Sequence, residues 1–65
     1  MITVNGEKKN YPTGISVADL LKQEGLQSQR VAVEKNGEIV RRTEFETTEL
    51  KEGDRIEIVH FVGGG

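Results

Sequence analysis

Apolar and polar residues alternate in "MITV", give way to the polar stretch "EKKNY", and alternate again in "VAVEKNGEIV" and "RIEIVHF". A period of two marks strands with one buried face. Ile2 and Val4 are expected to face the core, with Thr3 outward. Asn5-Gly6 tolerates the positive φ of a tight hairpin turn, so the stretch after it reads as a second, polar, exposed strand. Val31 and Val33 alternate with Ala32 and Glu34. Asn36-Gly37 then turns the chain, and Ile39-Val40 returns. The β-branched Ile56, Ile58 and Val59 make the last run the strongest strand.

Between the hairpins the period changes. Val17, Leu20 and Leu21 fall at i, i+3 and i+4, which puts them on one face of a helix. Ser16 is the expected N-cap, and Asp19 three residues on completes a variant capping box. Ile15 before the cap and Leu20 after it can form a hydrophobic staple. Gly25 suits the left-handed residue that ends a helix, with Leu26 packing back on the last turn. The stretch "RTEFETTELKEGD" has no clean period. Phe45 and Leu50 read as anchors of an irregular segment containing one short helical turn, closed by Gly53-Asp54.

The order is hairpin, helix, hairpin, irregular segment, strand. A helix with one apolar stripe must bury it against one sheet face, which predicts a two-layer α+β domain. The sheet is expected to be mixed, with four to five strands and the first and last parallel and central. Residues 1–61 form the expected domain and residues 62–65 a flexible glycine-rich tail.

Composition narrows the function classes. Sixty-five residues make one domain. A chain this size buries only about 60% of its unfolded surface. There is no cysteine, so disulfides, zinc–thiolate sites and cysteine nucleophiles are excluded, and the single histidine excludes a His-rich metal cluster. Nine basic and eleven acidic residues give a net charge of −2. Nucleic-acid affinity comes largely from phosphate neutralisation, so this balance argues against it. No apolar run approaches the roughly 18 residues of a membrane span. Met1 opens directly into a strand-like stretch, which points to no signal peptide and to the cytoplasm.

Few side chains suggest chemistry. Glu44, Glu46 and Glu49 read as a solvated face, because a carboxylate-pair enzyme needs a dry pocket that this chain can hardly enclose. His60 reads as an ordinary polar residue of the last strand. Lys8-Lys9 and Arg41-Arg42 could steer an acidic partner, but read more simply as pairs that keep an edge soluble. With Ile56 and Ile58 inward, Glu57, Val59 and Phe61 point outward, and Ala32 shares their face. Ala32, Val59 and Phe61 therefore form an expected apolar patch of the kind that marks a partner surface. The alternative is a twist or bulge that buries Phe61.

"HFVGGG" follows that patch. Glycine is flexible and, lacking Cβ, thin. A run of three can enter a narrow channel and bring a terminal carboxylate close to a reactant. The alternative is an inert disordered terminus. A carboxylate accepts a nucleophile only after its oxygen becomes a leaving group. Adenylation by ATP achieves this, and a sulfur nucleophile can then displace AMP. This chain has no phosphate-cradling loop, so a partner enzyme must supply the nucleotide site.

Nearly the whole chain resembles the ubiquitin-like β-grasp sulfur carriers, and among them those of the thiamin pathway. The resemblance lies in "MITVNG", "SVADLL", "VAVEKNGEIV" and "LKEGDRIEIVHFVGGG", most specifically in the ending "EIVHFVGGG". It implies that an E1-like adenylating enzyme activates the Gly65 carboxylate with MgATP. A sulfur donor such as a cysteine desulfurase then leads to a thiocarboxylate, which delivers sulfur to thiazole synthase. By the same resemblance Gly64 and Gly65 match the terminal pair, Gly65 carrying the sulfur. Gly63 has no firm counterpart in the resemblance; by their thinness Gly63 and Gly64 are expected to give channel access, and Val62 is expected to join Ala32, Val59 and Phe61 on the partner surface. The chain itself binds no cofactor, is not an enzyme and engages neither nucleic acid nor membrane. A carrier of the molybdopterin or cysteine/thionucleoside pathways, and a binding domain with an inert tail, are the competing readings.

Overall fold

Both Asn-Gly dipeptides make two-residue hairpin turns with positive φ at each residue, 49° and 84° at Asn5 and Gly6, 52° and 86° at Asn36 and Gly37. These are the signs a twist-matched two-residue turn needs. In a computed structural model describing residues 1–61, the first turn joins β1 (Ile2–Val4) to β2 (Glu7–Lys9). The second joins β3 (Val31–Lys35) to β4 (Glu38–Val40). Strand β5 (Arg55–His60) completes a mixed sheet of order β2-β1-β5-β3-β4. β5 runs parallel to β1, with Val4 opposite Ile56, and antiparallel to β3, with Val33 opposite Ile58.

Helix α1 (Val17–Gln23) starts and stops as its residues dictate. The Ser16 hydroxyl accepts from the Asp19 backbone at 3.0 Å, and the Ser16 backbone donates to the Asp19 carboxylate at 3.2 Å. At the far end Gly25 (φ 74°) donates to Lys22 and Leu26 to Leu21, a complete Schellman motif. Val17, Leu20 and Leu21 are buried, with Ile2, Val4, Val31, Val33, Val40 and Ile56 from the sheet and Phe45 and Leu50 from the irregular segment. Ile15 and Leu26 pack against this core.

The segment after β4 does more than anchor two side chains. It opens with a 3₁₀ turn at Arg42–Glu44, and its carbonyls then receive the first amides of α1. Val17 donates to Thr48 at 2.9 Å and Ala18 to Phe45 at 2.8 Å. The initial N–H groups of a helix have no partner within it, and buried ones are costly to leave unpaired. Here tertiary carbonyls take two and the capping box a third. Gly14 and Leu50 extend the contact, donating to Leu50 and Ile15 carbonyls at 2.9 and 2.8 Å. A second 3₁₀ turn, Ser28–Arg30, precedes β3 and has no counterpart in the expectations from sequence.

Asp54 also departs from the sequence reading, which treated it only as the end of the irregular segment. It is buried. Its carboxylate accepts from the Lys51 backbone at 2.8 Å and from the Asn36 amide at 3.0 Å, tying the last loop to the second hairpin.

Candidate functional site

Alternation along β5 divides its side chains between two environments. Ile56 is fully buried and Ile58 partly, on the face that α1 covers. Glu57, Val59 and Phe61 lie on the opposite face, where no described helix packs. Ala32 stands directly opposite Val59 in the β3–β5 pairing. Val59 is 62% and Phe61 52% exposed, so no bulge turns Phe61 into the core. Ala32, Val59 and Phe61 are therefore gathered on one uncovered sheet end, where β5 leads toward residue 62.

Ile39 belongs with them and was not singled out from the sequence. It is 73% exposed and lines a shallow groove with Ala32, Arg41, Arg42 and Phe61. The signal was present. Val40 is buried, and adjacent strand residues face opposite ways, so an inward Val40 drives Ile39 outward.

One member of each basic pair is engaged in the fold, while Lys8 and Arg41 are exposed. Arg42 donates through Nε to the Ser28 carbonyl at 3.1 Å and through Nη2 to the Gln29 carbonyl at 3.5 Å, holding the 3₁₀ turn before β3. Arg41 is exposed beside the groove. Lys9 lies 3.6 Å from Glu24 and 3.8 Å from Glu7, so it links β2 to the end of α1. Glu24 also accepts from the Tyr11 hydroxyl. That hydrogen bond, with burial and the Glu24 charge adding to it, pushes the Tyr11 phenol up to about 12.

Glu44, Glu46 and Glu49 are exposed, as a solvated face requires, and His60 is exposed opposite Val31. A wider surface depression lies at the start of α1, lined by Ser16, Asp19, Lys22, Glu46 and Glu49. It is open to solvent, and Ser16 and Asp19 are engaged there in capping. Among the described residues no cluster of His, Asp or Glu is placed to hold a metal ion. No described helix is long and apolar enough to cross a membrane. Val62, Gly63, Gly64 and Gly65 lie outside the described residues.

The model of the ThiS family matches residues 2–65. The chain belongs to the ThiS family. It is 43% identical to the sulfur carrier protein ThiS of Bacillus subtilis over an alignment of 67 residues that covers all of both chains. A crystal structure of the thiamine biosynthesis protein ThiS from Geobacter metallireducens superposes with a TM-score of 0.80. It is 37% identical and covers 98% of this chain and 97% of that one. The fold is thus the ubiquitin-like β-grasp. Thiazole synthases of Paramagnetospirillum magneticum and Magnetococcus marinus are 41% and 42% identical over 64 residues. The chain spans about a fifth of their length, 20% in each case.

Proposed function

We propose that this protein is the sulfur carrier of thiamin biosynthesis and that the carboxyl group of Gly65 is its reactive centre. In this reading a carboxylate oxygen of Gly65 attacks the α-phosphate of MgATP in the site of an E1-like enzyme. Pyrophosphate leaves and an acyl adenylate forms. The outer sulfur of a donor persulfide, such as that of a cysteine desulfurase, then displaces AMP to give an acyl disulfide. A partner thiol attacks the donor's cysteine sulfur, is oxidised to a disulfide with it, and releases the thiocarboxylate that thiazole synthase consumes. The chain contributes no catalytic side chain. It supplies a folded surface for recognition, and Gly63 and Gly64 bring the carboxylate to the partner's reactants. ATP supply and the lack of cysteine both suit the cytoplasm.

The observation that carries this reading is the uncovered apolar patch of Ala32, Val59 and Phe61 at the end of β5 that runs into the glycines. A carrier must be gripped near its reactive end, and apolar patches rimmed by polar residues mark such grips. The full-length likeness to the Bacillus carrier supports sulfur transport. The likeness to part of two thiazole synthases supports the thiazole pathway over the molybdopterin and thionucleoside pathways.

The test is to add one residue after Gly65. Exchange of label between pyrophosphate and ATP by the activating enzyme is expected to disappear, with the melting temperature of the domain unchanged. Undiminished exchange by the extended chain overturns the reading. Intact mass after incubation with the activating enzyme and a sulfur donor is expected to show one oxygen replaced by sulfur.

A further inference from the structure

The parallel pairing of β1 with β5 covers only Thr3 with Arg55 and Val4 with Ile56. The chain then turns away at Asn5, yet β5 continues to His60. The Asn5 backbone still donates to the Ile56 carbonyl at 2.9 Å. Its side chain then makes the next rung itself. Oδ1 accepts from the Ile58 backbone at 2.7 Å, and Nδ2 donates to the Ile58 carbonyl at 3.2 Å. The side-chain amide thus replaces the peptide group that a longer β1 would have offered. Asn36 does the same beside the start of β5. Its backbone donates to the Arg55 carbonyl at 2.8 Å, its Oδ1 accepts from the Arg55 backbone at 2.9 Å, and its Nδ2 donates to Asp54.

Both asparagines precede glycine, and both are exposed. A following residue without Cβ leaves its backbone nitrogen unshielded. That nitrogen can attack the asparagine Cγ. We propose that Asn5 is a spontaneous modification site of the folded protein, deamidating to aspartate and isoaspartate whenever the β1 side of β5 opens, and that Asn36 is the same chemistry held in reserve. In the first step the Gly6 nitrogen bonds to Cγ of Asn5. The Cγ–Nδ2 bond breaks, ammonia leaves with the Gly6 amide proton, and a succinimide remains. Water then opens either ring carbonyl. No oxidant or reductant is involved.

The hydrogen bonds set the order of reactivity. Ring closure needs Cγ to swing onto the glycine nitrogen, and in each turn both polar atoms of the amide are held by other groups. Asn5 is held beside the two-pair β1–β5 ladder, Asn36 beside the five-pair β3–β5 ladder and the buried Asp54. Asn5 is the easier to release. Its product keeps an acceptor for the Ile58 amide but sets a carboxylate where the Ile58 carbonyl needs a donor. The rung on the β1 side of β5 is lost, three residues before Phe61.

The test is to age the full chain at mildly alkaline pH, folded and in concentrated urea. Deamidation at each position is followed by peptide mass spectrometry, and isoaspartate by enzymatic methylation. In urea positions 5 and 36 are expected to convert at equal rates, and Asn10, which precedes Tyr11, far more slowly. In the folded chain position 5 is expected to slow by about tenfold or more, the scale of its two net hydrogen bonds, and position 36 to slow further, because its amide donates to the Asp54 carboxylate. The Ile58 amide of aged protein is expected to exchange hydrogen faster than in fresh protein, as it does in an Asn5→Asp variant. Equal folded and unfolded rates at position 5, faster reaction at position 36, or unchanged Ile58 exchange each overturn the proposal.

Discussion

The Phe61 backbone amide donates to the Arg30 carbonyl at 2.8 Å, one rung beyond the last paired residues of β3 and β5, Val31 and His60. That rung carries the alternation of β5 one residue further and keeps the Phe61 ring on the face of Val59. Replacing Phe61 with Asp should therefore change stability by no more than about 0.5 kcal/mol, the usual range for surface sites. On the proposed function, affinity for the activating enzyme should fall sharply. Thermal melts and calorimetric titration separate the two effects. A large drop in melting temperature would show that the ring supports the core after all.

Ser16 closes the only capping box of the described chain. Ser16→Ala should destabilise the domain by about 1 kcal/mol, read from urea denaturation. Ser16→Gly should cost only a few tenths of that unit. Equal losses in the two variants would mean that the hydroxyl is not what holds the helix start.

Asp54 predicts acid sensitivity. Burial by itself pushes its carboxyl up, but the Lys51 backbone amide, the Asn36 amide and the charges of Lys35 and Lys51 together outweigh burial. The carboxyl is held below its ordinary value of 3.8. A depressed folded value means that the stabilisation is complete above that ordinary value and is lost as pH falls through the folded one. Urea midpoints measured downward from neutral pH should stay level and then decline below about pH 4. Asp54→Ala should remove about 1–3 kcal/mol at neutral pH by stranding its two donors and should flatten the acid decline. An unchanged acid slope in the variant would assign that decline to other carboxylates.

Tyr11 gives the alkaline counterpart. It is the single tyrosine, so its ionisation is read directly from tyrosinate absorbance. The midpoint should lie near 12 and move down toward 10.0 in Glu24→Gln, which removes the carboxylate. The raised value means that the contribution to stability is present below the unfolded phenol's pKa and is lost as pH rises through the folded one. A midpoint that does not respond to Glu24→Gln would rule out the carboxylate charge as its cause.

Much of this architecture was legible because it rests on local rules. The two Asn-Gly turns, the Ser16–Asp19 capping box, the Gly25 stop and the inward Ile2, Val4, Val31, Val33 and Ile56 each depend on neighbours a few residues away. The exposed apolar face was legible for the same reason: burying Ile56 and Val33 leaves Val59 and Ala32 on the other side. Ile39 went unnoticed although the alternation rule reaches it, because a three-residue edge strand gives only a weak signal.

What the sequence determined alone was therefore periodicity, turn chemistry and the placement of a glycine run after an apolar strand. Tertiary structure decided how distant backbone groups found partners. Val17 and Ala18 reach the carbonyls of Thr48 and Phe45, Arg42 holds the turn at 28–30, Asp54 meets Asn36, and Asn5 completes β5 from more than fifty positions away. Periodicity says which way a side chain points relative to its neighbours in the chain. It does not say which unpaired amide or carbonyl will lie across from it once the core has closed.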